Sequence, residues 1–355
     1  MTSYAGGSSV PPFDLPRPHP PCTQPSESLA LQRWATLDLH GLRDPAALIF
    51  NPHSGQKFGL HTNVHGLNEV QTALHAEGIP FDLWQTKGPG HATALARRAV
   101  LERRKLVIAA GGDGTIHEVA RGLLNTDVVL ATMPLGSVMN LARTLWIPRD
   151  PRGAARTIGI GRVLTIDLGR VGPHVFVEAA GVGLVAGLLG YFNKLDSSHP
   201  NMQVVVAALR FVRQVGMADV QLEFDGGTLG ARTQAVSVAN SPYVGDAFAV
   251  APGARLEDGL LDVTVVHRTS LPGFLLHLAL MAGGRAVPPA PHTDIVQTSW
   301  LTVGVGRGDH SLPVHADGDR VGTTPARFEI LPAALKVVVG TPSETGIRAW
   351  APPPW

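Results

Sequence analysis

Cysteine, charge and long apolar runs are all scarce in this chain. The one cysteine, Cys22, lies in a proline-rich stretch. It has no partner for an internal disulfide, and a cysteine-built zinc site is excluded, which fits a reducing compartment. Charged residues are 16% of the chain, and 29 Lys and Arg meet 28 Asp and Glu for a net charge of +1. That balance excludes the broad positive field by which proteins grip nucleic acid, so no nucleic-acid partner is expected. The opening residues, MTSYAGGSSV, lack the basic-then-apolar order of a secretory signal. The uncharged run Ala179 to Asn193 is glycine-rich and falls short of the about 20 residues of a membrane span. A cytoplasmic protein is expected, with transient peripheral membrane contact left open.

What is present suffices for two domains: 355 residues, 44% of them hydrophobic, at roughly 150 residues per domain. Residues 1–44 read as a disordered tail, punctuated by Pro11, Pro12, Pro16, Pro18, Pro20, Pro21 and Pro25. Within it, Leu29 to Leu42 reads as a short amphipathic helix packed on the body. Residues 45–161 alternate strand, turn and helix. Strands are predicted at Ala46–Phe50, Ile79–Trp84, Leu106–Ala110 and Val128–Met133. Helices are predicted at Val64–Glu77, His91–Arg103, Ile116–Leu124 and near Met139–Leu145. This order predicts an α/β domain with a parallel sheet covered by helices. Residues 162–334 change to short strand-like runs, among them Val163–Leu168, Val175–Ala180, Ala235–Ala239, Pro313–Asp317 and Arg327–Ile330. Asp-Gly turn signals at Asp225, Asp258 and Asp317 make this a mostly antiparallel β domain, interrupted by a helix over Met202–Val215.

The strongest local signal is Gly111-Gly112-Asp113-Gly114-Thr115, which follows an apolar strand and opens a helix. Glycines let the backbone turn sharply and approach a ligand, and a helix N-terminus offers free N–H groups to an anion. The carboxyl ends of parallel strands are where open α/β sheets bind ligands. Asn51-Pro52-His53-Ser54-Gly55, the loop holding Thr86, and Pro134-Leu135-Gly136-Ser137 leave neighbouring strand ends. Together they form a polar rim of small, hydroxylated residues suited to a nucleoside triphosphate. The competing reading of each loop alone is an ordinary turn. Asp317 and Asp319 flank a glycine and bring two carboxylates to one turn, or else mark a plain hairpin. Asp258-Gly259 is likewise either a hairpin turn or part of an oxygen-ligand cation site. His53, His61, His65, His75 and His91 match no zinc spacing, while His117 and His315 read as local hydrogen-bonding groups. Arg97, Arg98, Arg103, Arg104 and Lys105 read as a solvated basic helix face, or as a face drawn to anionic lipid heads.

NPHSG, the Thr86 loop, GGDGTIHEVARGLL and PLGSVMNLAR, in that order, resemble the catalytic domain of diacylglycerol kinase-type lipid kinases. APGARLEDGLLDVTVV and HADGDRVGTTPARFEILPAALKVVV resemble the second domain of the bacterial members, so the likeness spans about residues 45 to 340. It implies the fold shared by NAD kinases and diacylglycerol kinases: an α/β domain at 45–161, a β-sandwich at 162–334, and a segment at 335–355 returning to the first domain. It also implies phosphoryl transfer from ATP to a lipid hydroxyl, of diacylglycerol, a sphingoid base or a related lipid, with Mg2+, and a role in phospholipid biosynthesis. By this likeness Asn51, Pro52, Ser54, Gly55, Thr86, Gly111, Gly112, Asp113, Gly114, Thr115 and Ser137 line the nucleotide, and Glu118 helps orient it. Asp317 is then the acceptor-activating base with Asp319 beside it, and Asp258 holds a structural Mg2+ with the carbonyls of Arg255 and Leu260. The partner is a lipid at a membrane surface, and a homodimer stays open. Three positions depart from the family pattern: Met139 replaces an amide, Gly181 to Val185 lacks the usual acid, and Asp319 is shorter than the common Glu. An NAD kinase-like enzyme, and a weakly active nucleotide- or lipid-binding regulator, are the alternative readings.

Overall fold

The computed structural model describes residues 33–38, 44–54, 56–57, 60–61, 65–136, 138–183, 217–244, 248–249, 251, 253–267, 293–306 and 310–341. Gly55, Ser137, Val185, the helix expected over Met202–Val215 and most of the tail lie outside them.

The first strand, β1 (Trp34–Thr36), pairs antiparallel with a later one, Trp34 opposite Leu164. This corrects the helix expected over Leu29–Leu42 and gives part of the expected disordered tail a fixed place. Arg33 anchors it, its guanidinium 2.6 Å from the fully buried carboxylate of Asp167. A buried carboxylate needs such a partner, and the pairing overrides the weak helical periodicity.

The next elements alternate. They are β2 (Ala46–Phe50), the short hairpin β3 (Gln56–Lys57) and β4 (Leu60–His61), α1 (Leu67–Ala76), β5 (Phe81–Gln85), α2 (His91–Leu101), β6 (Leu106–Gly111), α3 (Asp113–Gly122) and β7 (Val129–Pro134). Strands β5, β2, β6 and β7 lie side by side in parallel register. Every residue of β2, β6 and β7 is buried, as in a parallel sheet covered on both faces. The edge strand β5 is only half buried, and Arg98 and Arg104 cover the ring of its Trp84. Two helices follow, α4 (Asn140–Thr144) and α5 (Pro151–Ile160). The second was not expected, because glycines interrupt its apolar period. It is fixed by its ends: Asp150 accepts from the Gly153 N–H at 2.7 Å, Pro151 opens the first turn, and Gly161 closes it at φ 70°.

The second half is antiparallel: β8 (Arg162–Val171), β9 (His174–Phe176), β10 (Ala179–Gly183), β11 (Ala218–Phe224), β12 (Gly227–Ala239), the small pair β13 (Tyr243–Val244) and β14 (Phe248–Ala249), β15 (Leu261–His267), β16 (Thr293–Thr298), β17 (Trp300–Val305), β18 (Pro313–Ala316), β19 (Asp319–Thr323) and β20 (Ala326–Val338). Strand β11 alternates buried and exposed residues, the pattern of a sheet with one face on a core. The run expected as one strand over Val175–Ala180 is split at Val177–Glu178. The short strand expected at Arg327–Ile330 is instead the first third of β20. That strand pairs with β17 at Leu301–Phe328, then runs on to lie parallel to β7 at Lys336–Val129. With β8 beside it, β20 joins the two halves into one sheet. Each half keeps its own apolar core.

Candidate active site

The glycine loop lies where β6 ends and α3 begins. Gly112 caps the helix, so the N–H groups of Asp113 and Gly114 have no carbonyl one turn earlier to bond. The loop's glycines differ in what they serve. A Cβ on Gly111 would stand 2.6 Å from the Thr115 side chain, so the fold itself requires that glycine. A Cβ on Gly112 meets nothing nearer than the Gly136 Cα at 3.6 Å, and one on Gly114 meets nothing within 4 Å. Those two are open toward the rim, as backbone that must approach a ligand should be.

The neighbouring loops are tied to this one. The Asn51 amide donates to the Thr115 hydroxyl at 2.9 Å, and the Gly112 N–H donates to Ser54 Oγ at 3.2 Å. Pro52 is exposed in the turn between them. Thr86 is buried, and its N–H donates to the Phe50 carbonyl at 2.9 Å. Glu118 reaches across to the start of α2, where its carboxylate accepts from Gly90 at 2.7 Å and Ala92 at 3.0 Å. It thereby fixes the loop after Thr86. Asp113 ties the glycine loop to α4: its oxygens accept from the N–H groups of Met139 at 2.8 Å and Asn140 at 2.9 Å. Met139 holds a left-handed backbone at φ 62°, and its sulfur accepts from the Gly136 N–H at 3.2 Å. The thioether thus supplies an acceptor to its own loop.

The turn between β18 and β19 closes the site from the other side. Asp317 and Gly318 both have positive φ, 47° and 85°, the geometry of a two-residue type I′ hairpin turn. The side chain of Asp317 is 1% exposed. Its oxygens accept from the N–H groups of Val177 at 2.9 Å and Glu178 at 3.0 Å, with Arg121 at 3.5 Å and His117 Nδ1 at 3.6 Å. Asp319 follows at the head of β19 and is exposed. The two aspartates expected to act as a pair therefore stand in opposite environments.

His117, one turn into α3, is buried between Asp317 and Glu178, its Nε2 3.0 Å from Glu178 Oε1. Burial alone would lower its pKa, but the carboxylates of Asp317 and Glu178 outweigh that and raise it to about 9. Burial pushes Glu178 up from the usual carboxylate range, and His117 pulls it back. The other Glu178 oxygen accepts from the Asn140 amide at 2.8 Å. Asp113, His117 and Glu178 bring three ligand-type atoms within 4.8 Å of one another. Asp113 accepts from main-chain N–H groups and Glu178 contacts His117 and Asn140, so the three are tied into one charge network. Glu178, Asn140 and Arg121 were missed in the sequence. The available signal was one carboxylate, Glu178, in the otherwise apolar run VFVEAAGVG.

The expected cation loop lies beyond β14. Asp258 is half buried and accepts from the Leu260 N–H at 3.0 Å, while Arg255 is exposed and paired with Glu257. Burial, with Asp167 and Glu257 nearby, raises the Asp258 carboxyl. Asp262 is pushed up to about 6 by burial and by Asp258, and its Oδ2 is buried with no partner. A buried carboxylate oxygen without a donor, beside a second carboxylate, fits a hard divalent cation held by oxygen ligands.

The family models match in the same two parts. The diacylglycerol kinase catalytic domain matches residues 45–171, and the YegS C-terminal NAD kinase beta sandwich-like domain matches residues 179–339. A diacylglycerol kinase of Bacillus subtilis (strain 168) is 28% identical over 299 residues, covering 83% of this chain and 96% of that protein. A diacylglycerol kinase of Staphylococcus carnosus is 24% identical over 83% of this chain and 95% of its own length. The crystal structure of a diacylglycerol kinase from Bacillus anthracis (strain Sterne) matches with a TM-score of 0.66 at 24% identity, over 84% of this chain and 97% of that one. A second structure from the same organism gives a TM-score of 0.68 at 26% identity, over 83% of this chain and 97% of that one. Residues 45–171 thus belong to the diacylglycerol kinase catalytic-domain family, and residues 179–339 to that of the YegS C-terminal NAD kinase beta sandwich-like domain.

Proposed function

We propose that this protein is an ATP-dependent lipid kinase that transfers the γ-phosphoryl group to a lipid hydroxyl, with diacylglycerol the first acceptor to test. The observation that carries this reading is the pair of glycines open to the rim, Gly112 and Gly114, beside a buried clasp that ties their helix to the DG turn. The N-terminus of α3, where N–H groups and the helix dipole favour an anion, would hold the triphosphate. Magnesium, when bound with ATP, would supply charge neutralisation at the phosphates. The lipid hydroxyl oxygen attacks the γ-phosphorus, the bond to the β-phosphate oxygen breaks, and ADP leaves. The hydroxyl proton passes to a carboxylate. Of the two expected at this turn, Asp319 is the exposed one, whereas the Asp317 oxygens are taken by main-chain N–H groups. We therefore assign the base to Asp319 and the role of a clasp to Asp317. Asp258, with the carbonyls of Arg255 and Leu260, would hold a structural cation, and Asp262 stands ready to share its charge.

The test offers ATP and Mg2+ with diacylglycerol, a sphingoid base, extracted lipids and NAD in separate reactions. A phosphorylated lipid supports the reading. Phosphorylated NAD, or ATP binding without turnover on any acceptor, overturns it.

A further inference from the structure

The contacts around His117 form one chain that crosses the molecule. It starts at Asp113 in the glycine loop, which holds the Asn140 main chain at 2.9 Å. The Asn140 amide donates to Glu178 at 2.8 Å. Glu178 lies 3.0 Å from His117, and His117 lies 3.6 Å from Asp317 in the turn that carries Asp319. Every side chain here is largely buried except Asp113. Among the described residues, the charged groups facing His117 are Asp113 on its own helix, Glu178 between β9 and β10, and Asp317 from the turn, with Arg121 sharing the Asp317 oxygen.

We propose that His117 is a positioning residue: as an imidazolium between Asp317 and Glu178, it locks the turn bearing Asp319 to the helix that begins at the glycine loop. Three carboxylates converging on one buried imidazole hold its proton. A neutral ring would satisfy one carboxylate by hydrogen bond and leave the other facing a lone pair. Asp317 would then lose a counter-charge, and its grip on the Val177 and Glu178 amides would slacken. Asp319 would keep its chemistry but lose its place. This inference rests on the lipid-kinase reading for its effect on turnover, and on geometry alone for the lock itself.

The test uses the full chain and two variants, His117→Gln and Glu178→Gln, with two independent measurements. The first is the imidazole titration of His117 by NMR, assigned by difference with His117→Gln, together with hydrogen exchange at the Val177 and Glu178 amides. The expected result is a protonated His117 at pH 7 titrating near 9, and amide protection that falls as that proton leaves. Glu178→Gln should move the titration down by about one unit or more. The second is the pH profile of lipid phosphorylation. Turnover should fall as pH rises through the His117 titration. His117→Gln should lower kcat about tenfold at pH 7, with the KM for ATP within roughly twofold. A neutral His117 at pH 7, or amide protection indifferent to its proton, overturns the lock. Should no lipid be phosphorylated, the kinase reading fails while the NMR and exchange results still decide the lock. Should both variants turn over lipid at the native rate and pH profile, the positioning role is overturned even if the ion pair exists.

Discussion

At the scale of single residues, burial separates groups that look alike. Asp317 and Asp319 are two residues apart and chemically identical, yet one is a buried acceptor for main-chain N–H groups and the other stands exposed at a strand head. Asp319→Asn should cut turnover by roughly 10²- to 10⁴-fold, as loss of a general base does, and leave the denaturation midpoint unchanged. Asp317→Asn should act on the fold. An amide NH2 turned toward the Val177 and Glu178 N–H groups, or a lost ion pair with His117, costs about 1–3 kcal/mol in a urea titration. Equal stability of the two variants would sink the division of labour. The glycines divide the same way. Gly111→Ala forces a Cβ into Thr115 and should destabilise, whereas Gly112→Val should keep the native melting temperature and lose the stabilisation that ATP gives. A Gly112→Val protein that still binds ATP normally would remove the glycine loop from the nucleotide site.

At the scale of elements, the site is a set of helix ends and turns held in register by a few carboxylates. The α3–turn contact carries a pH signature with a definite sign. The folded-state pKa of His117 is raised, so its stabilisation is full below the unfolded value of 6.5 and is lost as pH rises through about 9. Glu178 is raised as well, and its deprotonation works in the same direction. Thermal stability should therefore decline across this range, and His117→Gln should flatten the decline. The Asp258 loop makes a separate prediction. Mg2+ should raise the melting temperature of the native chain, and Asp258→Asn should abolish that rise while leaving the effect of ATP. Most elements of the first half were legible because β2 and β6 are unbroken apolar runs and all four parallel strands close in glycine-bearing loops. Helix α5 was not, since its apolar face is built from alanines between glycines and its ends do the specifying. Strand β1 was hidden because its partner lies about 130 residues away and its anchor is one ion pair. The length of β20 was hidden by Pro332 and the bulge at Ala333, where φ is 51° and the N–H turns to Asp167 at 2.7 Å.

At the scale of the whole molecule, a sheet shared through β8 and β20 brings the glycine-loop edge and an acidic turn together from distant parts of the chain. The loops of that edge could be read in the sequence because each keeps its small residues contiguous. The network of His117, Glu178, Asn140 and Asp317 could not, because its members come from four segments and only packing unites them. No helix among the described residues is long and apolar enough to cross a membrane. With a net charge of +1, the proposed lipid substrate would have to be reached through local surface contacts. Binding to anionic vesicles should weaken as salt is added, since surface attraction is screened within about 10 Å at 0.1 M. Tight, salt-indifferent binding to neutral vesicles would point instead to apolar insertion. The most direct measurement follows the phosphoryl group itself. Native protein and Asp319→Asn are each incubated with γ-labelled ATP, Mg2+ and vesicles containing diacylglycerol, and the lipid phase is extracted. Label in phosphatidic acid is expected with the native chain, and a loss of that label, with ATP binding intact, in the variant. Label in the lipid at the same rate with both proteins, or no labelled lipid from a folded native chain that binds ATP, would contradict that expectation.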